Sequence, residues 1–243
     1  MDKNFSINNL TIITPFKDKS NTRLIETINC LNGQNLQLFV HHLILYDVSC
    51  ENILDIKEKF TYKKNYIIKF ISVNEKGIYR AINKGLDLLK IEDYYIVIGA
   101  GDQIFLNNIK EISINNLLMC QYKLSNKNQK INNLRNLYAG MPYCHNAMIF
   151  RFNNLRYSYK YSISSDYDYF LKFINSEKIN ISKNEYFNNQ INIIFESETG
   201  VSSRSFFKKN IENLSILYKN LGFKYIFIYI LLKIKKMIKT IYA

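Results

Sequence analysis

The chain of 243 residues is 47% apolar, which is enough to bury a hydrophobic core and excludes an intrinsically disordered protein. Its 33 Lys and Arg against 20 Asp and Glu give a net charge of +13, which favours polyanionic partners such as nucleotide phosphates, nucleic acid or an anionic membrane surface. From Val201 to Ala243 there are nine basic residues and one acid, so +8 of this charge lies at the end of the chain.

Four cysteines stand far apart without a C-x-x-C pair, so the sequence predicts neither a zinc site nor a disulfide scaffold and favours reduced thiols. The N-terminus lacks an apolar signal core. The longest late apolar run, Tyr225 to Leu232, is well short of the roughly 20 residues that span a bilayer. We therefore expect a cytoplasmic protein without a membrane-spanning segment.

The first hundred residues alternate short β-branched runs with helical patterns, which is typical of βαβ units around a mostly parallel sheet. The predicted strands are Leu10 to Thr14, His42 to Tyr46, Tyr66 to Ser72 and Tyr94 to Ile98. The predicted helices are Ser20 to Leu31, Ile53 to Phe60 and Ile78 to Leu89. Four strands and three crossovers predict a Rossmann-like half.

The regular alternation stops near Leu117, after which polar turns separate the elements. The elements predicted in this part are strands at Met119 to Lys123, Ala147 to Phe152 and Ile191 to Phe195, and a helix at Ser165 to Asn175. From Leu221 onward, apolar residues interleaved with lysines predict a basic amphipathic helix, which either lies in a membrane interface or packs on the domain.

Candidate chemistry lies where the predicted strands end, because open α/β sheets bind ligands at the carboxyl ends of their strands. Asp47 ends the second strand, and the segment from Gly99 to Asp102 follows the fourth. Gly99 and Gly101 let the backbone approach a ligand, and Asp102 offers a carboxylate to a divalent cation that bridges a diphosphate. A plain turn would explain either segment taken alone.

Three further candidates lie later in the chain. Asp166 and Asp168 open a predicted helix, where they either compensate the helix dipole or leave one carboxylate available for chemistry. His145 is either a core or loop histidine or a ligand-binding one. No H-x-x-x-H, G-x-S-x-G or P-loop segment is present, which excludes a histidine metal centre, an elbow hydrolase and a P-loop enzyme.

Together these features resemble the family 2 inverting glycosyltransferases of GT-A fold, especially short bacterial members that build surface polysaccharides. The resemblance covers Leu10 to Ser203, and its most specific piece is the stretch from Gly77 to Gly85, which is similar to the family's G-I-Y-D-A-M-N-K-G. The other matching segments are Thr11 to Asp18, Leu43 to Asp47 with Ser49, Tyr94 to Asp102, Cys144 to Asn146 with Phe150 and Arg151, Ser165 to Leu171, and Gly200 to Ser202. Arg80 replaces the usual acid of the first segment, and Gly99 and Gly101 occupy the D-x-D positions.

The resemblance implies an α/β GT-A fold and assigns roles to individual residues. Asp166 is the expected general base, and His145 and Asp168 are expected on the acceptor side. The donor nucleotide is expected to contact Thr14, Pro15, Phe16, Asp47, Gly77, Arg80, Asn83, Lys84, Gly101 and Asp102. Asp102 is also the expected ligand of Mn²⁺ or Mg²⁺, and Lys76, Arg80 and Lys84 are candidates to stabilise the diphosphate.

The expected organisation is a nucleotide-sugar half at 1–118, an acceptor and base half at 119–205, and a helical tail at 206–243. The expected reaction moves a sugar from a nucleoside diphosphate sugar, with UDP favoured, to a lipid-linked glycan on the inner face of the cytoplasmic membrane, in O-antigen, capsule or lipopolysaccharide synthesis. The tail is expected to bind the anionic membrane, and no nucleic-acid partner is expected. Two alternatives remain open: a sugar-nucleotide nucleotidyltransferase and a non-enzymatic basic protein that binds membrane or nucleic acid.

Overall fold

The computed structural model describes residues 5–18, 21–50, 53–60, 63–125, 136–180, 186–196 and 205–241. Within these ranges the strands are β1 (Phe5–Ile7), β2 (Asn9–Phe16), β3 (Phe39–Asp47), β4 (Tyr66–Val73), β5 (Tyr94–Val97), β6 (Gln103–Phe105), β7 (Ile112–Ile114), β8 (Leu117–Leu124), β9 (Met148–Arg151) and β10 (Phe187–Phe195). The α-helices are α1 (Thr22–Asn32), α2 (Ile53–Lys59), α3 (Ile78–Leu86), α4 (Ser165–Ser176), α5 (Phe206–Leu221) and α6 (Lys224–Ile241). Short 3₁₀ turns lie at Leu137–Ala139 and His145–Ala147.

Eight of these strands form one mixed sheet in the order β4-β3-β2-β5-β9-β8-β10-β6. The first four run parallel, as the βαβ pattern predicts. β9 then pairs antiparallel with both β5 and β8, and β6 pairs antiparallel with β10. β1 and β7 form a separate two-stranded sheet. The predicted α/β GT-A-like architecture, a mostly parallel sheet with added antiparallel strands, matches this topology.

Burial along the strands follows their place in the sheet. The central β2 is buried at six of its eight positions, because helices cover both faces of a parallel sheet. The edge strand β4 begins with alternation, with Tyr66 and Ile68 inside and Ile67 and Lys69 outside. Helix α3 approaches the sheet closely at Gly85, where a Cβ atom would come within 3.0 Å of the Ile13 side chain.

The strand predicted to end at Thr14 is β2, and it extends two residues further. Pro15 therefore lies inside β2. β5 pairs with β2 only as far as Ile13, and only β3 pairs with the rest of the strand. The missing N–H of Pro15 therefore leaves no gap in a ladder on the β5 side. A proline near a strand end limits pairing on one side without ending the strand.

The chain divides into two compact units, which we call the sheet unit (1–132, 146–156 and 181–198) and the helical unit (133–145, 157–180 and 199–243). The expected halves at 1–118 and 119–205 are each continuous in sequence, whereas each of these units is built from three separate segments. β8, β9 and β10 belong to the sheet unit because they hydrogen-bond within its sheet. α5 and α6, expected as a separate tail, belong with α4 to the helical unit. Within the described residues, no helix combines the length and the apolar character needed to cross a membrane.

Candidate active site

Asp47 is the last residue of β3, at the carboxyl edge of the parallel strands. Its Oδ1 accepts hydrogen bonds from the Ser49 backbone N–H at 3.0 Å and from the Ser49 hydroxyl at 2.7 Å, and Lys17 Nζ lies 3.5 Å from its Oδ2. The Ser49 hydroxyl, the Ser49 N–H and the Lys17 charge hold the pKa of Asp47 below its usual value. Asp47 is therefore ionised at neutral pH, and an ionised carboxylate accepts hydrogen bonds from hydroxyl and N–H groups.

Three residues predicted to contact the donor lie at the end of β2, and two of them are buried: Thr14, Pro15 and Phe16. Thr14 is fully buried, and its hydroxyl is hydrogen-bonded to His42 Nε2 at 2.8 Å, while His42 Nδ1 pairs with the Tyr66 hydroxyl at 2.8 Å. Burial lowers the pKa of His42 to about 3, so this histidine is neutral. Phe16 is buried and Pro15 is partly exposed. The Thr14 side chain thus supports the sheet interior, and Pro15 is the most exposed residue of the three.

Helix α3 carries the stretch with the closest match to the family pattern. Gly77 precedes it with φ of +121°, a conformation that residues with a Cβ rarely adopt, although a Cβ there would meet no atom within 4 Å. Arg80 is exposed and forms an ion pair with Glu75 at 2.5 Å. Asn83 is buried, and Lys84 is exposed in the last turn. Arg80 and Lys84 are therefore the two of these side chains that solvent reaches.

The loop after β5 is fixed by hydrogen bonds to two other elements. Asp102 accepts the backbone N–H of Gly99 at 3.1 Å and that of Glu196, just after β10, at 3.2 Å. The Thr27 hydroxyl on α1 accepts the N–H of Gly101 and donates to the carbonyl of Asp102, both at 2.9 Å. Burial raises the pKa of Asp102 to about 6, against the opposing effect of these N–H donors. The carboxylate of Asp102 is engaged in holding the loop.

The two glycines at the D-x-D positions lie where other side chains fill the space. A Cβ atom on Gly99 would come within 2.7 Å of Asp102 Oδ2. A Cβ atom on Gly101, whose φ is +95°, would overlap Glu196 Oε2 and come within 3.0 Å of Arg23 Nε. Arg23, in the first turn of α1, donates to Glu196 Oε2 at 2.5 Å through Nε and also through Nη2. A salt bridge therefore occupies the place where an acidic side chain at 101 would lie.

The residues around Asp102 do not fit a divalent cation. Both Asp102 oxygens already accept backbone N–H groups, and the Asn146 side chain donates as well. The neighbouring Glu196 carboxylate is bound to Arg23, whose positive charge would repel a metal ion. In the part of the chain that the structure describes, no three His, Cys, Asp or Glu side chains come together as metal ligands. The cation expected at Asp102 therefore has neither enough available ligands nor a favourable potential.

Asp166 is the second residue of α4, and its side chain is half-buried. One oxygen accepts the backbone N–H of Tyr167 at 2.8 Å. Burial raises the pKa of Asp166 to about 6, with the charge of Glu212 adding to the rise and that of Lys209 opposing it. A carboxyl group that titrates near 6 is mostly ionised at neutral pH and is still basic enough to accept a proton.

Glu212, on α5, is a residue that the sequence reasoning missed. It accepts the backbone N–H groups of Ser162, Ile163 and Ser164 at 2.8–3.0 Å and the Ser162 hydroxyl at 3.2 Å. This buried carboxylate thus holds the segment that leads into α4 and Asp166. The one signal for it in the sequence is that the stretch from Val201 to Ala243 holds nine basic residues and a single acid, Glu212.

Asp168 lies one turn into α4 and is fully buried. Its Oδ2 forms an ion pair with Lys172 at 2.5 Å, and its Oδ1 accepts the side-chain N–H of Asn220 on α5 at 3.0 Å. These contacts join α4 to α5 and leave the carboxylate inside the helical unit. Asp168 is thus buried in this structure, and the acceptor role expected for it stays a prediction.

His145 is 7% exposed, with Nε2 2.5 Å from the Tyr157 hydroxyl. The two rings meet edge to face, and Tyr157 stacks on Tyr169 at 4.4 Å between centroids. Burial lowers the pKa of His145 to about 3, so it is neutral. The structure therefore places His145 in an aromatic cluster of the helical unit.

The predicted segment from Gly200 to Ser202 lies outside the residues that the structure describes.

Of the predicted site residues, all those assigned to the donor lie in the sheet unit, and the base and acceptor residues lie in the helical unit.

Comparisons with known proteins bear on the fold of the chain. No protein-family model matches the chain, and no curated protein matches it.

Solved structures do resemble it. TarS of S. aureus, residues 1–349 in complex with UDP-GlcNAc, superposes with a TM-score of 0.59 at 14% identity, over 88% of this chain and 67% of that one. Without ligand, the same TarS fragment gives 0.56, with 66% of its length covered. The mannosyltransferase PcManGT of Pyrobaculum calidifontis, in complex with GDP-Man and Mn²⁺, gives 0.58 at 11% identity, over 86% of this chain and 63% of that one. The chain thus spans about two thirds of these proteins, and the likeness confirms the GT-A-like fold.

Proposed function

We propose that the chain is an inverting hexosyltransferase that moves a sugar from a nucleoside diphosphate sugar, a UDP-sugar in the first instance, to a hydroxyl of a lipid-linked glycan. The product would belong to a surface polysaccharide such as O-antigen, capsule or lipopolysaccharide. The GT-A-like fold supports the proposal, and so do the nucleotide sugars bound by TarS and by the mannosyltransferase. The observation that carries it is Asp166, a half-buried carboxylate at a helix N-terminus that accepts the N–H of the next residue and has a pKa of about 6.

In the proposed reaction, an acceptor oxygen attacks the anomeric carbon from the face opposite the leaving group. The bond from that carbon to the diphosphate breaks, its electron pair goes to the diphosphate oxygen, and Asp166 takes the acceptor proton. Configuration at the anomeric carbon is inverted because there is one displacement. The ionised Asp47 suits the donor side, where it would accept hydroxyl or N–H groups of the nucleotide. The reaction so written needs no cation at Asp102.

Helix α6 supports the proposed membrane partner. Five large side chains lie on one face of this helix and are 43–65% exposed: Phe227, Ile230, Leu231, Ile234 and Ile238. We call this set the apolar stripe. On the opposite side Tyr229 is buried, and its hydroxyl contacts Asn210 and Asn213 of α5. The helix is therefore attached through one face and presents an apolar face outward, the reverse of an ordinary surface helix.

The charges on α6 favour an anionic bilayer as the occupant of the apolar stripe. The helix has five lysines and no acid. Lys224 and Lys235 are exposed, roughly 60–80° around the helix from the centre of the stripe. An apolar face flanked by basic residues is typical of helices that lie in an anionic interface, where each lysine contributes about 1 kcal/mol. A lipid-linked acceptor would be reached from that surface.

A donor screen tests the proposed reaction. Several UDP- and GDP-sugars are incubated with a lipid-diphosphate sugar acceptor, and release of nucleoside diphosphate is followed together with the glycan product. We expect one donor to give acceptor-dependent release and a product of inverted anomeric configuration. Release without any glycan product for every donor, or retention of configuration, would contradict the proposal.

Vesicle cosedimentation tests the membrane partner. Because Tyr229 ties α6 to α5, substitution is preferable to deletion: Leu231→Ser with Ile234→Ser should abolish binding to vesicles that contain phosphatidylglycerol, without lowering the melting temperature. The matched control is Leu88→Ser with Ile91→Ser, two exposed apolar residues of the sheet unit. Binding that survives the α6 changes, or binding equally strong to neutral vesicles, would remove the anionic membrane from the proposal.

A further inference from the structure

The salt bridge between Arg23 and Glu196 lies at the loop that follows β5, at the carboxyl edge of the parallel strands. Arg23 comes from α1, directly after β2, and Glu196 follows β10. Both side chains remain open to solvent, with 45% and 40% of their surfaces exposed. The pair is therefore part of the ligand-facing edge of the sheet and not of its core.

The space beside the backbone of Gly101 is filled by the Arg23 and Glu196 side chains. Any side chain at Gly101 would overlap the Glu196 carboxylate and crowd Arg23. The Glu196 backbone N–H is in turn bound to Asp102, so the guanidinium is tied to the loop through one continuous chain of contacts. Gly101 thus leaves room for the Arg23–Glu196 pair.

Arg23 is the cation of this cluster, and Glu196 and Asp102 are its two acids. Arg23 is the positive partner of the salt bridge, and its planar guanidinium has donors beyond those that Glu196 uses. Arginine binds phosphate oxygens in paired hydrogen bonds, which a point charge does not. A divalent cation, by contrast, would meet Arg23 and a carboxylate already engaged by N–H donors.

We propose that Arg23, held by Glu196, takes the place of a metal ion and binds the diphosphate of the donor. As the sugar leaves, the bond between the anomeric carbon and the diphosphate oxygen breaks, and the negative charge that develops on the diphosphate is stabilised by the guanidinium. Glu196 is a positioning residue that orients Arg23. This inference rests on the proposed function and specifies how the donor is bound.

Nucleotide binding without turnover tests the inference. The affinities of UDP, GDP, uridine and guanosine are measured by calorimetry in EDTA and again in Mn²⁺. We expect a diphosphate to bind equally well in both. Arg23→Ala should weaken that binding about 10- to 100-fold while leaving the nucleoside unchanged. Arg23→Lys, which keeps the charge but loses the planar fork, should give a smaller loss for the diphosphate alone.

The matched control is Arg156→Ala, which breaks another surface ion pair of the sheet unit, to Asp87. It should leave diphosphate affinity and fold unchanged. Binding of the diphosphate only in Mn²⁺, or equal losses for diphosphate and nucleoside in the Arg23 variants, would overturn the inference and leave the proposed transfer standing. Absence of nucleotide binding under every condition would instead contradict the proposed function itself.

Discussion

Asp102 in the sheet unit and Asp166 in the helical unit are both half-buried carboxyl groups whose pKa is raised to about 6 by burial. Their partners differ. Asp102 accepts N–H groups from two separate segments and lies near the guanidinium of Arg23. Asp166 accepts the N–H of the residue that follows it, and Glu212 and Lys209 act on it with opposite charges. The raised pKa alone therefore does not identify a base, and the hydrogen-bond partners separate the carboxylate that fixes a loop from the one that is suited to move a proton.

The largest effect that tests this comparison is on turnover. Asp166→Asn should lower transfer about 10²- to 10⁴-fold, because the acceptor proton loses its base, and should leave UDP or GDP affinity unchanged. The check is kcat with a synthetic acceptor together with nucleotide binding by calorimetry. Turnover within a few-fold of wild type would remove Asp166 from the mechanism.

The next effect is on stability and concerns Glu212. Glu212→Gln replaces one acceptor oxygen by an NH₂ group that faces backbone donors, so unfolding should become easier by about 2–3 kcal/mol. The melting temperature should fall by roughly 5–10 °C. Glu26→Gln, at an exposed position on α1, is the control and should leave the melting temperature unchanged. Equal melting temperatures for both variants would show that the Glu212 contacts do not hold the segment before α4.

The smallest effect concerns Asp168, two residues from the proposed base. Asp168→Asn removes the ion pair to Lys172, whose side chain is 28% exposed, so the loss of stability should be only about 1–2 kcal/mol. Transfer should stay within about tenfold of wild type, since this carboxylate is buried away from ligands. Denaturant unfolding and kcat measured on the same sample check both numbers. A loss of turnover as large as that of Asp166→Asn would mean that the two carboxylates act together.

Local patterns in the sequence predict where a candidate residue lies within its own strand or helix. Asp47 at the end of β3 and Asp166 at the start of α4 follow from strand and helix periodicity and from capping preferences. The partners of these residues could not be predicted in this way. Arg23 and Glu196 are 173 residues apart in the sequence, and no local pattern links them.

Burial was equally hard to predict at single positions. Thr14, Asp168 and His145 are residue types that often bind ligands, and each lies where a sequence match suggested a ligand. All three are buried against other side chains, and this depends on how distant elements pack. The predicted GT-A fold is confirmed, while the roles assigned to these residues stay predictions.

The pH dependence of kcat/KM tests the role of Asp166 most directly. For the wild type we expect kcat/KM to fall about tenfold per pH unit below roughly pH 6, as the base becomes protonated. Lys209 favours the ionised form, so Lys209→Ala should raise the pKa of Asp166 and move this midpoint upward by roughly half a pH unit. The exposed Lys208→Ala is the control and should not move it, and Asp102, whose nearby charge is Arg23, should not respond to Lys209. A midpoint that is the same in all three proteins, or a rate that does not change between pH 5 and 8, would contradict the assignment of Asp166 as the base.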